Sequence, residues 1–204
     1  MAYKRPPKTM RNGILFSLIL FFSVYGFSQD ELGYYNISKK TDDGLMKLIA
    51  APPSYVSIAN GAGLSEPYVP MSMNYISLES AGKLVKERYT LNFILTSFIE
   101  YDISNGGRLL LKYKDGETLT LATDEEFKGE YRDGLYYVSP EYVITKEQID
   151  NILNKGIIKL RFETQYMNID VEPLNDRFMV HFKDKINGIE KRKNNTGDSF
   201  HSDF

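Results

Sequence analysis

The feature that most constrains the fold is a pair of strand-forming runs on either side of Asp115 and Gly116, within residues 106–123, GGRLLLKYKDGETLTLAT. An Asp-Gly pair between alternating apolar residues is the strongest short-range signal for a β-hairpin, because a type I′ turn needs positive φ at both central residues. The period of two leaves Lys112 and Lys114 on the wetted face of an antiparallel sheet. The residues expected on the buried face are Leu109, Leu111, Tyr113, Leu119 and Leu121.

Short apolar and β-branched runs extend this pattern through most of the chain. In the longest, residues 83–103, the β-branched and aromatic content favours strand over the helix that residues 84–95 also permit. Its alternation predicts Ile99 on the inward parity, and Ile94 and Phe98 on the other parity predict apolar neighbours on both faces. The other expected strands are 45–50, 55–59, 75–78, 136–138, 142–144 and 157–164 with Ile158 inward, while 166–171 is a strand or an extended loop.

Two segments have a helical period instead. Thr145 followed by Gln148 is a capping-box signature, and it predicts a helix over Lys146–Lys155 that ends at Gly156. From about Asn175 the apolar spacing turns helical again. We therefore expect an α+β fold: a mostly antiparallel, meandering β-sheet of about seven or eight strands, forming a sandwich or partial barrel, with two short helices packed on one face or end. The apolar residues that define the second helix are Phe178, Phe182, Ile186 and Ile189.

The first 28 residues have the three-part layout of a secretory signal peptide. Four basic residues precede an apolar run over residues 14–27, which ends with small residues at Gly26 and Ser28. We expect cleavage after Ser28. The alternative is an uncleaved membrane anchor, but the run is shorter than the ~20 residues that span a bilayer. The mature chain is thus predicted to be exported, to the periplasm or the cell surface, with no stable transmembrane span after cleavage.

The remaining residues predict a single domain with loose ends. Residues 29–44 are polar and lack sustained periodicity, which indicates a linker or N-terminal arm. Residues 45–193 are expected to form one β-rich globular domain, and the polar residues 194–204 a disordered tail. The sequence has no cysteine, so the domain has no disulfide, which suits a bacterial periplasm or surface.

Charge limits the class of partner. Four of the 25 basic residues lie in the leader, so residues 29–204 hold 21 basic against 27 acidic side chains, a net charge of −6. Nucleic-acid binding requires a concentrated basic face. The dense basic run, 191–193, falls at the end of the second predicted helix, where it complements the helix dipole. We therefore expect no nucleic-acid partner.

No residue pattern predicts catalysis, a metal or a cofactor. A serine triad would have to use His181 or His201, but no G-x-S-x-G motif accompanies them. His181 is expected to be a partly buried structural residue. The acidic stretch 124–134 lacks the spacing of a calcium loop and is expected to be a solvated loop. A carboxylate-based hydrolase stays open, because carboxylates distant in sequence can meet in space.

Tyrosine is unusually abundant, with 15 tyrosines and no tryptophan. Tyr131, Tyr136, Tyr137 and Tyr142 lie close together in the sequence. Tyrosines at a surface stack on sugars or anchor a protein partner, and tyrosine is also ordinary strand content. These four residues are the predicted ligand-binding residues.

Two stretches resemble a known class of proteins. They are GGRLLLKYKDGETLTL (106–121) and YYVSPEYVITKEQIDNILNKGIIKLRFET (136–164), followed by a C-terminal helix and preceded by a leader that ends in GFSQ. This order, over about residues 84–190, resembles small, exported, uncharacterised proteins of the Bacteroidota. The resemblance implies a β-rich periplasmic or surface domain and assigns no active site.

These features predict an exported cell-envelope protein that is a non-catalytic binding module for an unknown envelope protein or glycan. Two other hypotheses remain. A carboxylate-based hydrolase would need two acidic residues facing each other in a pocket. A structural subunit of a surface assembly would need an exposed sheet edge or a large apolar patch.

Overall fold

Antiparallel β-structure dominates the chain, as the sequence predicted. The structure is a computed structural model that describes residues 28–29, 33–61 and 63–195. Its helices are α1, Lys146–Lys155, and α2, Arg177–Asn195. Its strands are β1 Ser28–Gln29, β2 Tyr35–Thr41, β3 Gly44–Ala50, β4 Ser54–Gly61, β5 Tyr68–Ser80, β6 Lys83–Phe93, β7 Leu95–Ser97, β8 Arg108–Tyr113, β9 Thr118–Ala122, β10 Glu130–Arg132, β11 Leu135–Val138, β12 Glu141–Ile144, β13 Ile157–Glu163 and β14 Asn168–Pro173.

The strands form two sheets of very different size. The large sheet has the order β1-β2-β3-β5-β4-β14-β13-β8-β9, and β6 pairs with β5 while β12 pairs with β6. The small sheet has the order β10-β11-β7. The large sheet curls until β12 lies beside β9, but no strand pairing joins these two described strands, so the sheet is open. The predicted α+β class is thus confirmed, but the described residues form 14 strands rather than the seven or eight that were expected.

Helix α1 begins and ends as the sequence predicted, whereas α2, with 19 residues from Arg177, is longer than the short helix that was expected. At the start of α1, the Gln148 N–H donates to the Thr145 hydroxyl over 3.2 Å, and the Thr145 N–H donates to the Gln148 side chain over 2.9 Å. The helix ends at Gly156, which has φ of +69°. Helix α2 lies against β3, β4 and β5. Its buried face holds Phe178, Phe182, Ile186 and Ile189.

Helix α2 also buries a lysine. Lys185 is only 2% exposed, and its ammonium group donates to the Ser54 hydroxyl over 2.9 Å and to the Pro52 carbonyl. Desolvation lowers the pKa of Lys185 to about 8. Among the described residues, no carboxylate accepts a hydrogen bond from this ammonium group to offset the desolvation. The lysine therefore fastens α2 to the connection between β3 and β4 at an electrostatic cost.

Helix α2 also contacts Tyr34, the residue before β2. The Tyr34 hydroxyl donates to the Asp184 carbonyl over 3.3 Å, and the Arg192 guanidinium lies 3.6 Å from the centre of the Tyr34 ring. A Cβ at Gly188 would lie 2.0 Å from the Tyr34 hydroxyl oxygen. Glycine is thus required where the tyrosine crosses the helix.

The central hairpin forms as predicted, but the type I′ turn does not. The Tyr113 N–H donates to the Glu117 carbonyl over 2.8 Å, and the Gly116 N–H donates to the Tyr113 carbonyl over 3.1 Å. Gly116 has φ of +92°, whereas Asp115 is not among the residues with positive φ. The loop therefore has three residues and a glycine in the left-handed region, the next commonest hairpin connection.

A two-residue turn with positive φ at both positions occurs instead at the Asp-Gly pair of residues 133–134. Asp133 has φ of +50° and Gly134 has φ of +88°, and Arg132 pairs with Leu135 on either side of them. This turn joins β10 to β11. The prediction of a loop over 124–134 was therefore wrong for Glu130–Arg132, which is strand.

Three further expectations were wrong. Residues 35–41, assigned to a linker or arm, form β2 and pair along their full length with β3. Ile158 is 45% exposed because the register shifts between Ile157 and Lys159. Ile94, Phe98 and Ile99 are exposed, because the long β run breaks at Ile94 and its second strand ends at Ser97.

Several predictions fall outside the described residues. The leader lies outside the described residues except for Ser28 of β1, which pairs with Asn36 of β2. Of the predicted tail 194–204, residues 194–195 end α2 and the others are not described. Neither of the two described helices is long and apolar enough to cross a bilayer.

Candidate binding surface

The small sheet is the part of the fold that positions the predicted tyrosines. Its centre is β11, where Tyr136 lies opposite Tyr131 of β10 on one side and Ser97 of β7 on the other. The Tyr131 and Tyr136 ring centres are 5.1 Å apart, and the ring planes are inclined by 54°. This distance and tilt are typical of a cross-strand aromatic pair.

The four predicted tyrosines do not share one environment. Tyr131 is 65% exposed, and Tyr136 and Tyr137 are partly exposed. Tyr142 is fully buried, with its ring 6.3 Å from that of Phe162. Burial raises the pKa of the Tyr142 hydroxyl. The Tyr142 ring therefore lies in the core, unlike those of the other three predicted tyrosines.

Three exposed residues near the small sheet were missed by the sequence analysis. Phe98 and Ile99 follow β7 directly, and the Ile99 N–H donates to the Ser97 hydroxyl over 3.0 Å. Tyr166 lies in a turn whose preceding residue, Gln165, donates its N–H to the Asp102 carbonyl over 2.9 Å. Their apolar character was visible in the sequence, but nothing local signalled that no second layer covers them.

These residues stand out in the exposed surface as a whole. Of the five most exposed large apolar or aromatic side chains in the described part of the chain, only Val85 lies elsewhere. We name Phe98, Ile99, Tyr131 and Tyr166, together with the partly exposed Tyr136, the exposed apolar set. Exposed apolar groups concentrated in one region are typical of binding sites. The four most exposed members are Phe98 at 72%, Tyr166 at 71%, Tyr131 at 65% and Ile99 at 63%.

The same region concentrates the negative charge of the protein. Residues 98–102 and 124–137 contain seven carboxylates and two basic side chains, a net charge of −5 out of the −6 of residues 29–204. Both basic groups already have neighbouring carboxylates, since Lys128 lies 3.8 Å from Glu126 and Arg132 pairs with Glu130. The small sheet is therefore the acidic end of the molecule. Its carboxylates are Glu100, Asp102, Asp124, Glu125, Glu126, Glu130 and Asp133.

Strand β10 forms the outer edge of the small sheet. Arg132 and Leu135 flank the two-residue turn, so they form a hydrogen-bonded pair. Pair types alternate along an antiparallel ladder, so the next pair, Tyr131 with Tyr136, is a non-hydrogen-bonded pair. The backbone N–H and C=O of Tyr131 consequently point away from β11. Two residues earlier, the Gly129 N–H points the same way and donates to an Asp102 carboxylate oxygen over 2.9 Å.

A pocket of about 170 Å³ lies on the large sheet, between β2, β3 and β5 and the end of α2. Glu79 is the one carboxylate among its lining residues, and it accepts a bond from the Lys47 ammonium over 2.8 Å. The Lys193 ammonium lies 4.3 Å from the Tyr75 ring centre and donates to the Tyr89 hydroxyl over 2.7 Å. The charged side chains that line this pocket thus already have partners within the protein.

The described residues give little support to metal or histidine chemistry. They contain no group of three or more histidine or carboxylate side chains that could hold a metal ion. His181 is partly buried, and desolvation, followed by the nearby Lys185 charge, lowers its pKa. No family model, curated protein or solved structure matches the chain. The inference of function therefore rests on the shape and charge of the small sheet.

Proposed function

We propose that this protein is an exported, non-catalytic module of the cell envelope that binds a partner through its small sheet. The observation that supports this most is the exposed apolar set. Aromatic side chains are enriched in protein interfaces, and burying rings such as Phe98 and Tyr131 in a partner would supply much of the binding free energy. The leader over residues 1–28 supports export to the periplasm or the cell surface.

The outer edge of β10 favours a second candidate, a structural subunit of a surface assembly. An uncovered strand edge beside apolar side chains is able to pair with another copy of the chain. Light scattering after size exclusion separates the two candidates. A binding module is monomeric at micromolar concentration, whereas an assembly subunit forms larger species that Phe98→Ser and Tyr131→Ser disrupt.

The hydrolase hypothesis receives less support. It requires two carboxylates that face each other in a pocket, and the pocket beside β2 is lined by one, which is paired with Lys47. Glu141, on β12 of the large sheet, has a raised pKa, first because of burial and then because of the charges of Asp124 and Glu125. The Arg88 charge, 3.9 Å away, lowers the pKa and so opposes the rise. A raised pKa in one carboxyl is not a catalytic pair.

Binding by purified residues 29–204 to fractionated envelope proteins and to a glycan panel tests the proposal. The expected result is saturable binding that a Phe98→Ser, Tyr131→Ser double variant abolishes. Tyr55→Ser is the matched control, because Tyr55 is 59% exposed but lies on β4 of the large sheet. Circular dichroism confirms that each variant is folded.

Two results would contradict the proposal. One is binding that the double variant and the Tyr55 control reduce equally. The other is turnover of a hydrolase substrate by a protein that binds neither the envelope fractions nor the glycans.

A further inference from the structure

We infer that the partner presents a basic, extended polypeptide segment that lies along the edge of β10, an inference that rests on the proposed binding function. Three observations point to this occupant. They are the charge of the acidic end, the direction of the Tyr131 backbone groups, and the position of the exposed rings. Each restricts the chemistry of the partner in a different way.

Charge restricts the partner first. Nearly all of the net charge of residues 29–204 lies within residues 98–102 and 124–137. Carboxylates collected on one surface attract a basic segment and repel an acidic one, and they raise the association rate more than the final affinity. A neutral glycan gains nothing from this field. Anionic lipid headgroups and nucleic acids are repelled by it.

The ion pairs elsewhere show that this charge is local. On the large sheet, the Arg161 guanidinium donates to both carboxylate oxygens of Asp170, over 2.6 and 2.8 Å, and Lys159 lies 3.0 Å from the same carboxylate. Arg108 makes an equivalent pair with Glu163. Glu100 and Asp133 are exposed and belong to no ion pair among the described residues. They are therefore free to meet cationic groups of a partner.

The backbone restricts the partner second. The N–H and C=O of Tyr131 face outward from the sheet, and no hydrogen bond joins them to another residue in the described part of the chain. An extended polypeptide satisfies both groups by adding one strand to the edge. The Gly129 N–H, which points the same way, already donates to the Asp102 carboxylate. The pairing is therefore short, and most of the affinity has to come from side chains.

The exposed rings restrict the partner third. The ring centres of Tyr131 and Tyr136 lie 5.1 Å apart with the planes inclined by 54°, and the electron-rich face of a tyrosine attracts an ammonium or guanidinium group. The protein already uses this contact elsewhere, since the Lys193 ammonium lies over the ring of Tyr75. Alternating basic and apolar residues in the partner would place cations and apolar groups on opposite faces of the added strand.

Titration of residues 29–204 with synthetic peptides tests this inference. The probes are an acetylated, amidated peptide of alternating lysine and valine, and matched peptides in which glutamate or serine replaces lysine. Calorimetry gives the affinity, and amide NMR shifts locate the bound peptide. We expect the lysine peptide alone to bind, to shift the Tyr131 amide, and to weaken about tenfold between about 50 and 500 mM sodium chloride.

Charge-neutralising variants separate local attraction from overall charge. The variant Glu100→Gln, Glu130→Gln, Asp133→Asn should weaken the lysine peptide about tenfold, and Asn tolerates the positive φ of position 133. The control is Asp42→Asn, Asp43→Asn, Glu147→Gln, which removes three exposed carboxylates from the turn between β2 and β3 and from α1. The control should leave the affinity within about twofold.

Failure of this inference differs from failure of the proposed function. Equal binding of the lysine, serine and glutamate peptides, or an equal effect of the two triple variants, overturns the basic partner. The binding function survives that result if Phe98→Ser and Tyr131→Ser still abolish binding to an envelope protein or glycan. A lysine peptide that binds without shifting the Tyr131 amide overturns the assignment to the edge of β10.

Discussion

Two cross-strand tyrosine pairs in this protein have the same geometry and opposite surroundings. Tyr75 with Tyr89 in the large sheet, and Tyr131 with Tyr136 in the small sheet, each have ring centres 5.1 Å apart and planes inclined by 54°. Tyr75 and Tyr89 are 5% and 2% exposed, whereas Tyr131 is 65% exposed. The strand pairing sets the geometry, and the presence or absence of a covering element sets the burial.

The covered pair is also fully bonded. The Tyr89 hydroxyl donates to Glu190 over 2.6 Å, the Tyr75 hydroxyl donates to Glu87 over 2.8 Å, and the Lys193 ammonium lies over both rings. Burial, followed by these carboxylate bonds, raises the pKa of both tyrosines. The end of α2 and β6 thus give the first pair charged contacts, whereas no element covers Tyr131 in the same way among the described residues.

Replacing one ring of each pair by alanine should separate stability from binding. We expect Tyr89→Ala to lower the free energy of unfolding by about 3 to 5 kcal/mol, because it empties a buried site and removes the hydrogen bond from Tyr89 to Glu190. Tyr131→Ala should change it by about 0.5 kcal/mol or less. Urea denaturation measures both. Equal losses would show that the two pairs are not distinguished by burial.

The buried lysine of α2 should make stability depend on pH. The pKa of Lys185 is about 8 in the folded protein and its ordinary value is 10.5, so between these values the unfolded chain binds more protons. Stability therefore rises with pH in this window, by roughly 2 kcal/mol between about pH 7.5 and 9.5. Urea denaturation at both pH values measures the rise.

Variants on the same helix control for other titrating groups. Lys185→Met should remove most of the rise, because the methionine side chain does not titrate. Lys183→Met should retain it, because Lys183 lies exposed on α2. The same rise in both variants would mean that Lys185 is not its source.

The smallest expected effect concerns the paired charges of the large sheet. The hydrogen bonds from Arg161, and then those from Lys159, lower the pKa of Asp170 from 3.8 to about 2. The contribution of the Asp170 carboxylate to the free energy of unfolding is fully present above about pH 3.8 and is lost as the pH falls through about 2. Solvent screening reduces it to about 1 kcal/mol, which Asp170→Asn should remove at pH 7 and about half of which should be gone at pH 3.

Asp150→Asn is the control for this third prediction. Asp150 makes an exposed pair with Lys146 at 3.5 Å on α1, so its loss should cost less than about 0.5 kcal/mol. Urea denaturation at pH 7 and pH 3 gives all the values. An Asp170 effect that does not decrease at low pH would mean that the carboxylate charge is not the source.

Local signals in the sequence predicted most helices and strands, whereas strand β2 and the turn type at Asp115 depend on contacts between residues distant in sequence. The capping box at Thr145 depends on four consecutive residues, so its prediction was confirmed. Strand β2 was missed because YNISKKT has little alternation of its own and becomes a strand by pairing with β3. The turn type at Asp115 was wrong because the register of β8 and β9, rather than the residue pair, fixes the loop length.

The candidate binding surface was partly predictable for the same reason. The run of tyrosines pointed to Tyr131, Tyr136 and Tyr137, which lie on the small sheet. Tyr142 follows the same pattern but is buried, because β12 pairs with β6 inside the curl of the large sheet. Exposure depends on which elements cover a strand, and that information is spread over the whole chain.

The contact between Tyr34 and α2 has a consequence for how the chain reaches its final state. The hydroxyl of Tyr34 meets the carbonyl of a residue 150 positions later in the sequence. A ribosome that adds about 5 to 20 residues per second delivers the second partner roughly 8 to 30 seconds after the first. The N-terminal strands are therefore synthesised well before α2, and their packing against this helix forms only after its synthesis.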